Sequence, residues 1–213
     1  MSEETSQRAM SEEDLDFEKK VSLKETMEVD PPKVLLLLRD FLAIQQRRAE
    51  AYSKLKRGFS DYMANGGELA YKQLCSEMTI EFNDCSKKVL EMEGLFRSSD
   101  YCREDLAQLL RAVQDQEKQN LLLTVTIQML KKAGRPSERL VSHENCKFTK
   151  PTEHECVNVQ EITEASGTEE AEADAEYDNA LNESIRGVQD VVMTINEHLE
   201  EVRYEIAALD NAE

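Results

Sequence analysis

Between Tyr71 and Phe96 the apolar residues fall at Tyr71, Cys75, Met78, Phe82, Cys85, Val89, Met92 and Phe96, separated alternately by four and three positions. On a helix of 3.6 residues per turn this spacing lines all eight along one seam. A strand cannot use it, because alternate strand residues face opposite sides of a sheet. An isolated amphipathic helix is marginal in water and draws most of its stability from packing. The remainder of the chain must therefore supply the surfaces that cover this seam.

The rest of the sequence is suited to that task. Only 7 Gly, 4 Pro and no Trp stand among 213 residues, 33% of them charged and 40% hydrophobic. That balance favours long helices, with room for one ordinary domain plus flanks. A formal charge of −18 argues against gripping nucleic acid or an anionic membrane over the whole surface. Five cysteines are an odd number, and the acidic start lacks the apolar stretch of a cleavable signal, so reduced thiols in cytosol or nucleus are expected. The run Val34 to Leu38 is too short to span a bilayer. Neither terminus carries a lipidation motif, and no membrane association is expected.

Taken in order, residues 1–29 read as a disordered acidic tail, with at most a short helix around Leu15 to Leu23. Asp30 before Pro31 and Pro32 is a helix start. The first helix should run to about Ala64 and stop at Asn65, Gly66 and Gly67, which tolerate a left-handed cap. Its expected seam is Leu38, Leu42, Gln45, Ala49 and Tyr52, then Leu55, Phe59 and Tyr62 after a three-residue slip. Gln45 reads as a solvated position at a loosely packed end, with a register-setting polar residue as the alternative. The second helix carries the opening seam to about Arg97 and folds back on the first. The third should span Arg103 to Ala133, with acidic residues in its first turn, a polar middle from Gln114 to Asn120, and a stop at Gly134 and Pro136.

Residues 30–135 thus form an antiparallel three-helix core, and 136–173 an acidic linker expected to be disordered. Ser166 and Glu169 could act as a capping box that starts the next helix early. From Asp174 to the end the pattern returns. Leu181, Ile185, Val188, Val192, Ile195, Leu199, Val202, Ile206 and Leu209 form a nine-residue seam, on a helix with 11 Asp and Glu against two Arg. A seam of this length left bare invites association. Docking on the chain's own core is the expected outcome, with self-association and capture of another protein as alternatives. The fold class is all-α: an elongated antiparallel bundle or coiled coil of three long helices plus a fourth.

The chemistry is sparse. His143, Cys146, His154 and Cys156 are ligand types for zinc but have the wrong spacing for a structural site. Cys75 and Cys85 lie on the seam and behave as small hydrophobes. Cys102, at a helix N-terminus, is a weak redox candidate, and His198 is read as a surface residue. Glu77, Glu81 and Asp84 are taken as a solvated flank rather than an acid and base pair. No cofactor and no catalytic residue is assigned. The first helix is the basic part, so Arg47, Lys54 and Arg57 are the residues that would touch a phosphate or a partner. Direct nucleic-acid binding is disfavoured, because Glu50 with Lys54 and Arg57 with Asp61 have the spacing of helix pairs that satisfy one another.

Three stretches contain residues that no seam requires: Arg48-Ala49-Glu50-Ala51-Tyr52; Tyr71-x-x-Leu74-x-x-Glu77-x-Thr79-x-Glu81-Phe82-Asn83; and Asp105-Leu106-Ala107-x-Leu109-Leu110-Arg111-x-Val113-Gln114-x-x-Glu117-Lys118. Together they resemble the required-for-excision 1-B domain family over about residues 33–134. That family is associated with DNA excision repair and has no recognised catalytic motif. The resemblance implies a non-enzymatic, nuclear adaptor whose partners are DNA repair factors. The alternative is a general coiled-coil scaffold of a cytoskeletal or trafficking complex.

Overall fold

The computed structural model describes residues 31–138 and 164–211, with side chains in the second stretch described from Thr168 onward. Helices α1 (Pro31–Asn65), α2 (Glu68–Arg97), α3 (Glu104–Ala133) and α4 (Glu164–Asp210) account for nearly all of these residues, with one 3₁₀ turn at Pro136–Glu138. The helices pack together into an elongated bundle in which α1 and α3 each contact both α2 and α4. Each helix runs antiparallel to its contacting neighbours: Arg39 near the start of α1 pairs with Asp210 at the end of α4 at 2.9 Å, and Lys132 at the end of α3 reaches Glu68 at the start of α2 at 3.7 Å.

The turns follow from local chemistry. Gly66 and Gly67 take φ of 75° and 88°, a left-handed conformation that a side chain would disfavour. Between α2 and α3 the backbone N–H of Arg103 donates to Phe96 O at 2.9 Å, and Cys102 takes the positive φ of 47°. Gly134 at φ 71° ends α3, its N–H donating to Leu130 O at 3.0 Å. The last helix begins at Glu164, well before the expected Asp174, so Ser166 lies inside it rather than at its cap. Alanine and glutamate in this stretch favour helix, which a reading based on apolar spacing does not register. The acidic tail and the zinc-like His143, Cys146, His154 and Cys156 lie outside the described residues.

The interior has two parts. Val34, Leu38 and Phe41 of α1, Val89 and Phe96 of α2, Leu106, Leu110 and Val113 of α3, and Val191, Ile195, Leu199 and Val202 of α4 form one cluster drawn from all four helices. A second cluster contains Ala51, Leu55, Met78 and Phe82, with Tyr52, Tyr71, Leu74, Cys75 and Leu121 packed against it; α4 is not among them. The α2 seam points inward throughout: Met78, Phe82, Cys85, Val89 and Phe96 are buried, and Tyr71, Cys75 and Met92 are half-buried.

Two expected seams need correction. In α1, Ala49 is exposed and Arg48 is buried. The inward positions Val34, Leu38, Phe41, Gln45, Arg48, Tyr52, Leu55 and Phe59 alternate by four and three without a slip, once an arginine is admitted to the seam. Gln45 is buried too, so the solvated reading fails. In α4, Val192 is 40% exposed while Val191 is 4% and Ser184 is 7% exposed. The cause is the asymmetry of the bundle. The middle of α4 turns its buried face toward α3, and the edge carrying Ile185 and Val192 is left toward α1.

A candidate docking groove floored by a buried polar layer

Between the two apolar clusters, α1 and α3 place polar residues on inward positions. Arg48, 2% exposed, donates from Nη2 to Ser86 Oγ at 3.3 Å and to Gln114 Oε1. With its amide oriented to suit its neighbours, Gln45 donates to Glu117 Oε1 at 3.0 Å and accepts from Arg48 Nη1 at 3.2 Å. Tyr52 donates its hydroxyl to the Glu117 carbonyl at 3.3 Å, and Asn120 is buried beside it.

Burial dominates the titration of this layer. It holds the Glu117 carboxyl above the usual carboxylate range, against the opposing pull of Arg48, and draws the Arg48 guanidinium below its ordinary value. Burial likewise drives the Tyr52 hydroxyl above its ordinary value, reinforced by the Glu117 charge. Buried polar groups are tolerated where they satisfy one another. Glu117 Oε2 alone in this layer is buried without a hydrogen-bond partner.

Beyond this layer the bundle opens. A groove of about 620 Å³ runs between α1 and α4, with α3 as its floor. Ala49, Tyr52, Lys56 and Phe59 form one wall; Ile185, Val188, Val192 and Asn196 form the other; Asn120, Thr124, Ile127 and Lys131 lie beneath. Two glycines explain why the gap falls here. A Cβ built on Gly58 would stand 2.0 Å from Leu74 Cδ2, and one on Gly187 would stand 3.0 Å from Leu123 Cδ1. Missing side chains let α1 approach α2 and let α4 approach α3. Arg135 then fastens the end of α3 to Asp178 at 2.7 Å and Asp174 at 3.5 Å of α4, while Ser137 N–H donates to Asp174 at 3.0 Å. Both pairs close, and α1 and α4 are left apart.

The residues singled out from the sequence fall elsewhere. Arg47 is tied to Glu81 at 2.7 Å and Asp84 at 2.8 Å, and these contacts hold the Asp84 carboxyl below its ordinary range. Of the expected solvated flank, Glu81 and Asp84 thus form a cross-helix clamp that engages Arg47, while Glu77 is exposed. Lys54 and Arg57 are exposed. The expected Glu50–Lys54 and Arg57–Asp61 pairs do not form; Glu50 accepts from Gln46 instead, at 3.1 Å. Cys102 is exposed, its thiol donating to Ser99 O at 3.2 Å. His198 Nδ1 lies 3.7 Å from Glu201.

Periodicity missed Arg48, Glu117 and Asn120. A usable signal was present: Leu106, Leu110, Val113, Glu117, Asn120, Thr124 and Ile127 continue the four and three spacing straight through the polar middle of α3. Glu93 was missed in the same way; it is 4% exposed, paired with Arg97 and 3.6 Å from Arg111.

Residues 36–131 match the family model described as DNA repair REX1-B. The matched stretch contains Gln45, Arg48, Tyr52, Gln114, Glu117 and Asn120, and it ends before α4. No curated protein and no solved structure gives a significant match.

Proposed function

We propose that this protein is a non-enzymatic helical adaptor linked to DNA excision repair, and that it holds a partner protein in the groove between α1 and α4. The observation that carries the reading is the likeness of residues 36–131 to a DNA repair family, over the stretch that builds the polar layer and two of the three groove surfaces. The groove supplies the means: it is apolar along most of its length, and exposed apolar concavities of this kind mark interaction sites. Among the described residues, no group of three or more His, Cys, Asp or Glu is placed to hold a metal ion, and no helix is long and apolar enough to cross a membrane. Direct nucleic-acid contact is the weaker reading, because Arg47 is engaged by carboxylates and the chain carries −18. Action in the nucleus is part of the proposal.

Proximity labelling in ultraviolet-treated cells tests it. Repair or chromatin factors should be recovered with the wild-type protein and lost with Val192→Asp, and deletion of the gene should sensitise cells to ultraviolet light. Unchanged damage sensitivity, with partners confined to tubulin or membrane coats, would replace the repair assignment with a cytoskeletal or trafficking scaffold.

A further inference from the structure

We infer that the groove takes an amphipathic helix of a partner, apolar along one face and ending in carboxylates that lie between Lys56 and Lys131. The inference rests on reading the groove as a partner site and specifies the chemistry of its occupant. Lys56 stands on the α1 wall and Lys131 on the α3 floor, and both also line the adjoining depression at the open end. Both are exposed, and neither has a hydrogen bond or ion pair among the described residues. The neighbouring cations are committed: Arg135 to Asp174 and Asp178, and Lys132 to Glu68 and the face of Tyr62 at 5.5 Å. Two ammonium groups facing one groove repel each other when it is empty, and an incoming carboxylate relieves that repulsion.

The α4 wall specifies the shape. Ile185, Val188, Val192, Ile195 and Leu199 repeat at the spacing that one helix presents to another. From Ile185 to Leu199 the wall is about 21 Å long, the length of a helix of roughly four turns. Glu117 lines the inner end, but its unpaired Oε2 is buried within the polar layer, so the charge preference of the groove rests on the two lysines. A helix with acids at one end therefore fits in one direction only.

The test uses the full-length protein and two labelled synthetic helices of about 18 residues. Both carry leucines at alternating four and three spacing; one ends in three glutamates and the other in three lysines. Fluorescence anisotropy should show the acidic helix binding about tenfold more tightly. The double variant Lys56→Glu/Lys131→Glu should invert that preference, and Val192→Asp should abolish binding of both. All three positions are exposed, so melting curves should confirm that the variants fold.

Equal binding of the two peptides, or a preference that survives the charge reversal, would overturn the inference. So would binding that appears only after removal of residues 1–30, which would assign the groove to the chain's own acidic segment. Self-association through the groove, read by sedimentation, would likewise overturn it. If the charge-dependent binding holds while no repair factor is recovered from cells, the occupant stands and the repair assignment falls. If repair factors bind regardless of Lys56 and Lys131, the reverse is true.

Discussion

The two halves of the bundle are built from the same four helices, yet one is closed and the other open. In the closed half α4 is held on both sides, by Arg39 to Asp210 and by Arg103 to Glu205 at 2.7 Å, and the core draws on all four helices. In the open half α4 is fastened to α3 and the 3₁₀ turn that follows it. The contrast shows that apolar spacing along a helix does not determine how many neighbours the helix will have. Small residues and end clamps decide that, by choosing which pairs approach most closely.

Truncating one apolar side chain in each half tests this contrast most severely. Phe41→Ala, at a fully buried position, should cost about 4 kcal/mol in urea unfolding, whereas Val192→Ala should cost well under about 1 kcal/mol. Similar losses would mean that the open half is closed in solution.

The boundary between the halves comes next. Arg48→Met removes the charge beside Glu117 and leaves a buried carboxylate uncompensated, which should cost about 3 kcal/mol. Adding Glu117→Leu should restore most of that loss, because a buried pair replaced as a whole is tolerated far better than half of one. A loss confined to a few tenths for the single variant would show that water reaches the layer.

The glycines provide a smaller test. Gly94 has nothing within 4 Å of an added Cβ, so Gly94→Ala should gain about 0.5–1 kcal/mol from helix propensity alone. Gly187→Ala should fall measurably short of that gain, because its methyl meets Leu123 at 3.0 Å. Equal gains would remove close α3–α4 approach as the cause of the gap.

The smallest effect is in pH. The Glu117 carboxyl titrates above its unfolded value, so between those two values the folded state binds more protons, and stability should rise slightly as pH falls. Asp105, Asp84 and Asp174 are held below their ordinary range, by Arg103, by Arg47 and by Ser137 respectively. Their contributions are present above the unfolded carboxylate value and are lost as pH falls through the depressed ones. A melting-temperature profile should therefore show a shallow rise followed by a fall, and Glu117→Gln should erase only the rise.

Much of this architecture was legible in the residues. The α1–α2 turn at Gly66 and Gly67, the end of α3 and the inward face of α2 follow from capping chemistry and spacing. The polar layer was hidden because membership of a seam was judged by apolarity, and Arg48 has a long side chain that can bury when its head group finds Gln114, Ser86 and Gln45. A false slip in α1 was the visible trace of that judgement. The groove could not be read from spacing at all, since the positions of Ile185 and Val192 on α4 are compatible with facing α1 or facing water. Only the partner geometry around Gly58 and Gly187 separates the two.

The unequal connections between helices also set an order of events. Gly66 and Gly67 join α1 to α2, and Ser98 to Arg103 join α2 to α3, whereas residues 139–163 separate the 3₁₀ turn from α4. Short connections form their contacts quickly and long ones pay more chain entropy first. The first three helices should therefore assemble early, with the face of α3 that receives α4, Leu123 included, still uncovered. During synthesis the segment that covers this surface is also the last of the four to leave the ribosome. For that interval the nascent chain presents a bare apolar face, the kind of surface that chaperones hold, and slowing the arrival of α4 should lower the yield of soluble protein more than it lowers the stability of the finished fold.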